Sequence, residues 1–347
     1  MEKLSFTSDY MEGAHPKILE RLIETNLVKT SGYGTDSFCE SARIKIRKAC
    51  EITDGEVYFL SGGTQTNAMI IKNLLRPYQG VIAAVSGHIA GHEAGAIEHG
   101  GHKVLCVPEY NGKLTAEAVE TVARSFCEDD NRDHIVMPGM VYISQPTESG
   151  TLYTRKELED IASVCKKNNL YLYVDGARLA YALACPSNDV TLPDLARLCD
   201  VFYIGGTKCG ALLGEAVVIP RAGLIPHFFT LMKQHGALMA KGRVLGIQFD
   251  TLFSDNLYLK VGRSAVTYAD AIRNKLQEKG LELCFGSPTN QVFVKLQDAF
   301  RQKLEQYVNV SFWEKPDDSH TIIRLATSWA TTDEEVQKLL DVLDTVF

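Results

Sequence analysis

Between about residue 56 and residue 219 the chain alternates short apolar runs with longer helix-patterned stretches, and this alternation narrows its possible folds more than any other feature. The runs Glu56–Leu60, Val81–Val85, Lys103–Val107, Met140–Ser144, Leu170–Val174, Val201–Ile204 and Glu215–Ile219 have strand length and turn-forming flanks. Thr64–Leu75, Thr115–Phe126, Arg155–Asn168 and Leu192–Leu198 read as the intervening helices. Strands separated by helices pack as a mainly parallel sheet covered by those helices, so an α/β large domain is expected.

After about residue 250 the pattern changes to a long helix over Thr251–Lys279, a strand at Gln291–Leu296, a helix, a strand at Thr321–Ala326 and a final helix at Thr332–Val346. That order predicts a small α+β lobe. The expected division is an N-terminal segment over 1–15, a large domain over 16–250 and a small C-terminal domain over 251–347. With 347 residues the chain is long enough for both cores, and the lack of a repeat or a Pro/Gly/Ser linker predicts that the lobes pack tightly.

Apolar residues at 45% and charged ones at 23% describe a soluble globular protein. A net charge of −7 argues against a nucleic-acid partner, because binding a polyanion needs a basic field. Met1-Glu2-Lys3-Leu4-Ser5-Phe6 has no apolar signal core, and no stretch nears the roughly 20 apolar residues of a membrane span, so a cytoplasmic protein with no membrane partner is expected. The nine cysteines are odd in number and never spaced Cys-x-x-Cys, which indicates neither a disulfide framework nor a zinc ribbon.

Lys208 stands in Val201-Phe202-Tyr203-Ile204-Gly205-Gly206-Thr207-Lys208, where an apolar strand runs into a glycine-flanked turn. Asp175 ends another apolar run and opens Asp175-Gly176-Ala177-Arg178. Alone, the lysine could be a solvated strand-end cation and the acid a helix cap. Together, at the ends of two strands of one sheet, they suggest pyridoxal 5'-phosphate (PLP), whose aldehyde a lysine binds as a Schiff base while a carboxylate holds the ring nitrogen protonated. Ser61-Gly62-Gly63-Thr64-Gln65-Thr66-Asn67 joins a strand to a helix and can offer backbone N–H groups to a phosphate. It lacks the Gly-Lys-Ser/Thr end of an NTPase loop. His88 follows the next strand, with His92, Glu93 and His99 nearby; the order is not His-Glu-x-x-His, so no metal is expected.

Asp175-Gly176-Ala177-Arg178, Thr207-Lys208, Gly63-Thr64 before a helix, and His88 followed by Glu93-Ala94-Gly95-Ala96 together make the chain resemble the threonine aldolase / β-eliminating lyase family of fold-type I PLP enzymes, from Ser8-Asp9 to Arg324. The resemblance implies a PLP-dependent transferase-like fold. It makes Lys208 the Schiff-base lysine, Asp175 the partner of the ring nitrogen, Gly63 and Thr64 the phosphate cup and His88 the histidine stacked on the ring. Thr207 stands where the family usually has serine. Arg178 is implied to reach the cofactor's phenolic oxygen or the substrate carboxylate. Ser8 and Arg324 are implied to bind that carboxylate, and Tyr33, in Tyr33-Gly34-Thr35-Asp36, matches a substrate loop. A second family histidine, implied in acid–base work, corresponds to His134, so the base is His88 or His134. Gln145-Pro146-Thr147-Glu148-Ser149-Gly150 departs from the family's Glu-Asn-Thr-His-Asn-Gly, and His92 stands where tyrosine is frequent.

The implied activity is aldehyde-lyase cleavage of a β-hydroxy-α-amino acid such as threonine or allo-threonine to glycine and an aldehyde. A PLP-dependent β-eliminating lyase would use the same Lys208, Asp175 and Arg324, and a PLP-binding protein without turnover would keep the scaffold alone. A nucleotide-binding oxidoreductase is disfavoured, since the first strand is not followed by Gly-x-Gly-x-x-Gly. The basic segment holding Lys233, Lys241 and Arg243 matches a loop that reaches a neighbour's cofactor phosphate in the family, which implies a homodimer or homotetramer with active sites at the subunit interface.

Overall fold

The computed structural model describes residues 3–347. Seven strands, β1 (Glu56–Leu60), β2 (Gln79–Ala84), β3 (Val104–Val107), β4 (Met137–Ser144), β5 (Tyr171–Asp175), β6 (Val201–Gly205) and β7 (Glu215–Ile219), form one sheet in the order β1-β7-β6-β5-β4-β2-β3. The run from β3 to β6 is parallel throughout, and β7 lies antiparallel to both β6 and β1. This is the mainly parallel α/β sheet that the alternating pattern predicts. β4 begins three residues earlier than expected, because Pro138 and Gly139 disguise its start as a turn.

Side chains alternate across the sheet with period two, and both faces are covered. Val141, Ile143, Leu172, Val174, Phe202 and Ile204 enter one core, while Met140, Tyr142, Tyr173, Val201 and Tyr203 enter the other. Three buried tyrosines, Tyr142, Tyr173 and Tyr203, therefore line up on one face of neighbouring strands. Reciprocal caps start the covering helices: Thr154 with Glu157 before Arg155–Lys167, and Thr191 with Asp194 before Leu192–Leu198. Each such cap is worth about 1 kcal/mol of helix stability.

The single helix expected over Thr251–Lys279 is two, Arg243–Leu252 and Leu257–Glu278. Asp255 and Asn256 between them have φ of 50° and 60°, a left-handed conformation through which a right-handed helix cannot run. The second helix joins the lobes: Leu257, Tyr258, Val261 and Ala265 pack in the large core, Ala269, Ile272 and Leu276 in the small one. The small lobe carries an antiparallel sheet of β8 (Glu282–Leu283), β9 (Gln291–Gln297), β10 (Ser311–Asp317) and β11 (His320–Ala326), in the order β10-β11-β9-β8. β10 escaped the sequence pattern because it contains Pro316, which only an edge strand tolerates. The N-terminal segment is built into this lobe: Leu4–Ser5 pairs with Val308–Asn309, and Phe6 is buried in the small core. Among the described residues no helix is long and apolar enough to cross a membrane.

Candidate active site

A cavity of about 800 Å³ opens where the parallel strands end, between the two lobes. Ser61 after β1, His88 after β2, Ser144 at the end of β4, Asp175 at the end of β5 and Lys208 after β6 all line it, and Arg324 on β11 closes it from the small lobe. Strand carboxyl ends are where open α/β sheets bind ligands, because the loops there fan apart and leave a crevice.

Asp175 is 4% exposed and held on both oxygens. Oδ1 accepts from the Tyr203 hydroxyl at 2.6 Å and the Ala177 N–H at 2.9 Å; Oδ2 accepts from the Tyr142 hydroxyl at 2.6 Å and Asn67 Nδ2 at 3.2 Å. Tyr142 and Tyr203 thus fix this carboxylate directly, Tyr173 holds Asn67 through its Oδ1, and since the hydroxyls can rotate, either Asp175 oxygen can pass a lone pair to a ligand N–H. Asn67 Nδ2 also donates to Glu93 Oε1 at 2.6 Å, and the same oxygen meets His88 Nδ1 at 2.7 Å. His88 is thereby oriented with its other ring nitrogen free.

Lys208 has no hydrogen bond through Nζ among the described residues. Burial, and next the Arg178 guanidinium, pushes its ammonium below the usual lysine range. Behind it, Glu215 accepts from Thr207 Oγ1 at 2.8 Å and from the Gly206 N–H at 3.0 Å, which clamps the turn that carries the lysine. Burial raises Glu215 to about 7.

Arg178 lines the cavity but gives its bidentate edge to Asp9: Nε donates to Oδ2 at 2.6 Å and Nη2 to Oδ1 at 3.0 Å. Three of its five N–H groups, two on Nη1 and the second on Nη2, are left for a ligand, so the opposite edge of Arg178 can still meet a carboxylate. Burial alone would raise Asp9, but the Arg178 and Lys208 charges overcome it and hold the carboxyl down to about 2. Arg324 is held by Gln291 Oε1 and the Thr7 carbonyl, each at 3.0 Å. Its Nε and the Oγ of Ser8 are both enclosed without a partner. Ser8 sits between Thr7, which holds Arg324, and Asp9, which holds Arg178.

Three expected site residues do not line this cavity, the first being Ser8, whose Oγ is enclosed. His134 is exposed in a turn before β4, at the strand's amino end, while Ser144 at its carboxyl end lines the cavity. Eight residues at ~3.3 Å each put the two ends on the order of 25 Å apart, too far for acid–base work. Tyr33 lies in a separate groove with Gly34, Arg43 and Phe229, is 42% exposed, and carries Lys233 Nζ 4.2 Å over its ring. Lys241 is exposed, and Arg243 donates to the Val28 and Thr25 carbonyls of its own chain. Asp9, Glu93, Glu148 and Glu215 had not been singled out for this site. Glu215, a glutamate opening an apolar strand, carried the same signal that picked out Lys208.

The model of the beta-eliminating lyase family matches residues 5–299. The chain belongs to that family. A low specificity L-threonine aldolase of a Pseudomonas species is 31% identical over 96% of this chain and 95% of its own. A solved structure of Leishmania major threonine aldolase superposes with a TM-score of 0.95 at 44% identity, covering 98% of each chain. Thermus thermophilus aspartate aminotransferase, at 16% identity and a TM-score of 0.74, shares the fold.

Beta-eliminating lyases of this fold are PLP enzymes, and the residues present fit that cofactor. The helix Gly63–Leu74 starts at the cavity with no side-chain cap, so its first N–H groups and dipole are available to a phosphate. A Cβ on Gly62 would have nothing within 4 Å, while one on Gly63 would come within 3.1 Å of the Tyr203 hydroxyl, the donor to Asp175. A side chain at Gly63 would therefore press on the hydroxyl that holds Asp175. Across the same cavity are Lys208, a lysine without a hydrogen bond at Nζ, and Asp175, a rigid carboxylate.

Proposed function

We propose that the chain is a PLP-dependent aldehyde-lyase that cleaves β-hydroxy-α-amino acids of the L-threonine or L-allo-threonine type to glycine and an aldehyde. The observation that carries this reading is one cavity lined by Lys208 and Asp175 at the carboxyl ends of parallel strands and by Arg324 from the small lobe. A guanidinium facing the lysine across such a cavity can hold a substrate carboxylate at two points. The threonine aldolase names of the Pseudomonas and Leishmania relatives support carbon–carbon cleavage over β-elimination.

When bound, PLP supplies an electron sink for the negative charge that bond cleavage leaves at the substrate α-carbon. Lys208, its ammonium destabilised by burial and by Arg178, is the amine that would hold the cofactor through its aldehyde carbon. Asp175 would meet the ring nitrogen, and the first turn at Gly63 and Thr64 would hold the phosphate, with Thr207 supporting the lysine turn. His88, oriented by Glu93, covers the ring. Arg324, with Ser8 in the segment that holds it, would bind the carboxylate, and the free N–H groups of Arg178 remain for a further acceptor.

The same reading puts Tyr33, Lys233 and Lys241 at the interface of a homodimer or homotetramer, facing a second subunit's cavity. It is supported by Ile23 and Leu27, 77% and 91% exposed in the segment whose Thr25 and Val28 carbonyls Arg243 meets. A cytoplasmic location is supported by nine cysteines that are all free thiols. The direct test is product analysis: protein loaded with PLP and given L-threonine or L-allo-threonine should release glycine and acetaldehyde in equal amounts. Ammonia with a 2-oxo acid, and no glycine, would assign it to β-elimination.

A further inference from the structure

Glu148 lines the cavity with Lys208, His88 and Arg324, and it is 9% exposed. Its Oε1 accepts from the His88 backbone N–H at 2.9 Å and from Ser144 Oγ at 2.7 Å. Its Oε2 has no hydrogen bond within the described residues and is not among the walled-off unpartnered atoms, so it is the oxygen open to the cavity. No Lys, Arg or His nitrogen of the described residues forms an ion pair with it. The other acids lining this cavity have donors on both oxygens: four on Asp175 and one on each oxygen of Glu215. A carboxylate fixed through one oxygen, bare at the other and without a cation is unusually basic, and burial, above other causes, raises its pKa.

We infer that Glu148 carries the proton of the reaction: Oε2 takes it from the substrate β-hydroxyl and delivers it to the α-carbon. In the first step the β-O–H bond breaks, the proton joins Oε2, the oxygen pair forms the aldehyde C=O, and the Cα–Cβ bond breaks with its pair left on the α-carbon side. In the second the Oε2–H bond breaks and a Cα–H bond forms, giving glycine. One proton leaves and returns, so no co-reactant is needed. His88, whose backbone N–H holds Glu148 while Glu93 holds its ring, fixes the distance between the carboxyl and the ring it covers. This inference rests on the retro-aldol reading above.

The test is Glu148→Gln in the PLP-loaded enzyme, since an amide oxygen still accepts from His88 and Ser144. Two readouts are used: steady-state kinetics on the β-hydroxy amino acid, and exchange of the glycine α-proton in D₂O by NMR. General acid–base help of this kind is worth ~10²–10⁴-fold, so kcat and the glycine exchange rate should both fall within that range while KM stays within about threefold. A kcat within about fivefold of wild type, or a loss confined to KM, overturns the inference. If the glutamine variant does not fold or load PLP, Glu148→Asp and Glu148→Ala are compared: the aspartate must exchange glycine faster, and equal rates overturn the inference. Wild-type enzyme that exchanges the glycine proton but cleaves no β-hydroxy amino acid would refute the retro-aldol reading, while the exchange comparison still decides the role of Glu148.

Discussion

Asp9→Asn removes the anion that holds Arg178. In the wild type this carboxylate is 0% exposed and accepts from Arg178 Nε and Nη2 and from Asn290 Nδ2 at 2.6, 3.0 and 2.9 Å. The drop of its pKa from the ordinary 3.8 to about 2 corresponds to about 2 kcal/mol of folding free energy at neutral pH. Leaving the buried arginine without its partner raises the expected loss to about 2–4 kcal/mol. Because the folded-state pKa is depressed, the contribution is full above the unfolded value and fades as pH falls toward 2; at pH 3 it is about half its neutral size. Urea denaturation of wild type and Asp9→Asn at pH 7 and pH 3 measures both quantities. The variant should be less stable at pH 7, with a narrower gap at pH 3. Equal stability at pH 7, or a gap that does not change between the two pH values, would refute the reasoning. Since Asp9 follows the strand pairing of the small lobe and Arg178 belongs to the large domain, the same substitution should loosen the cavity between them.

Asp175→Asn should keep PLP bound but lower kcat by about 10²-fold or more, because an amide cannot balance a protonated ring nitrogen and must also present an NH₂ to the donors now held by the carboxylate; single-turnover and steady-state rates of the loaded variant check this, and a near-normal kcat would reduce Asp175 to a structural cap. Arg324→Lys should raise KM for the amino acid about 10–100-fold with little change in PLP affinity, because an ammonium cannot reproduce the planar two-point grip. An unchanged KM would move the carboxylate site to Arg178 Nη1.

What the sequence disclosed and what it hid divide along physical lines. Lys208 and Asp175 stood out because each ends an apolar run, and the fold brings such ends together; Gly63, Thr64 and His88 follow strands of the same sheet for the same reason. The sheet itself was legible from its strand–helix alternation. The Asp9–Arg178 pair was not, because it joins residues far apart in sequence through a lobe packing that no local pattern encodes. Glu148 looks in sequence like one acid of a polar turn, and only the burial of that turn against His88 makes its free oxygen notable. His134 was misplaced because a histidine before a strand and one after it look alike in sequence, yet they lie at opposite ends of the sheet. Tyr33 sits in a groove of its own, apart from the cavity that its motif implied. β10 and the break at Asp255-Asn256 were hidden by a proline in a strand and by two residues in left-handed conformation.

The central claim is that Lys208 is the lysine that bonds PLP in this cavity. Borohydride reduction of the PLP-loaded protein, followed by digestion and mass spectrometry, locates that bond directly. The account predicts a single pyridoxyl-phosphate adduct on the peptide containing Lys208, with Lys233 and Lys241 unmodified. An adduct on another lysine, with Lys208 free, would contradict it.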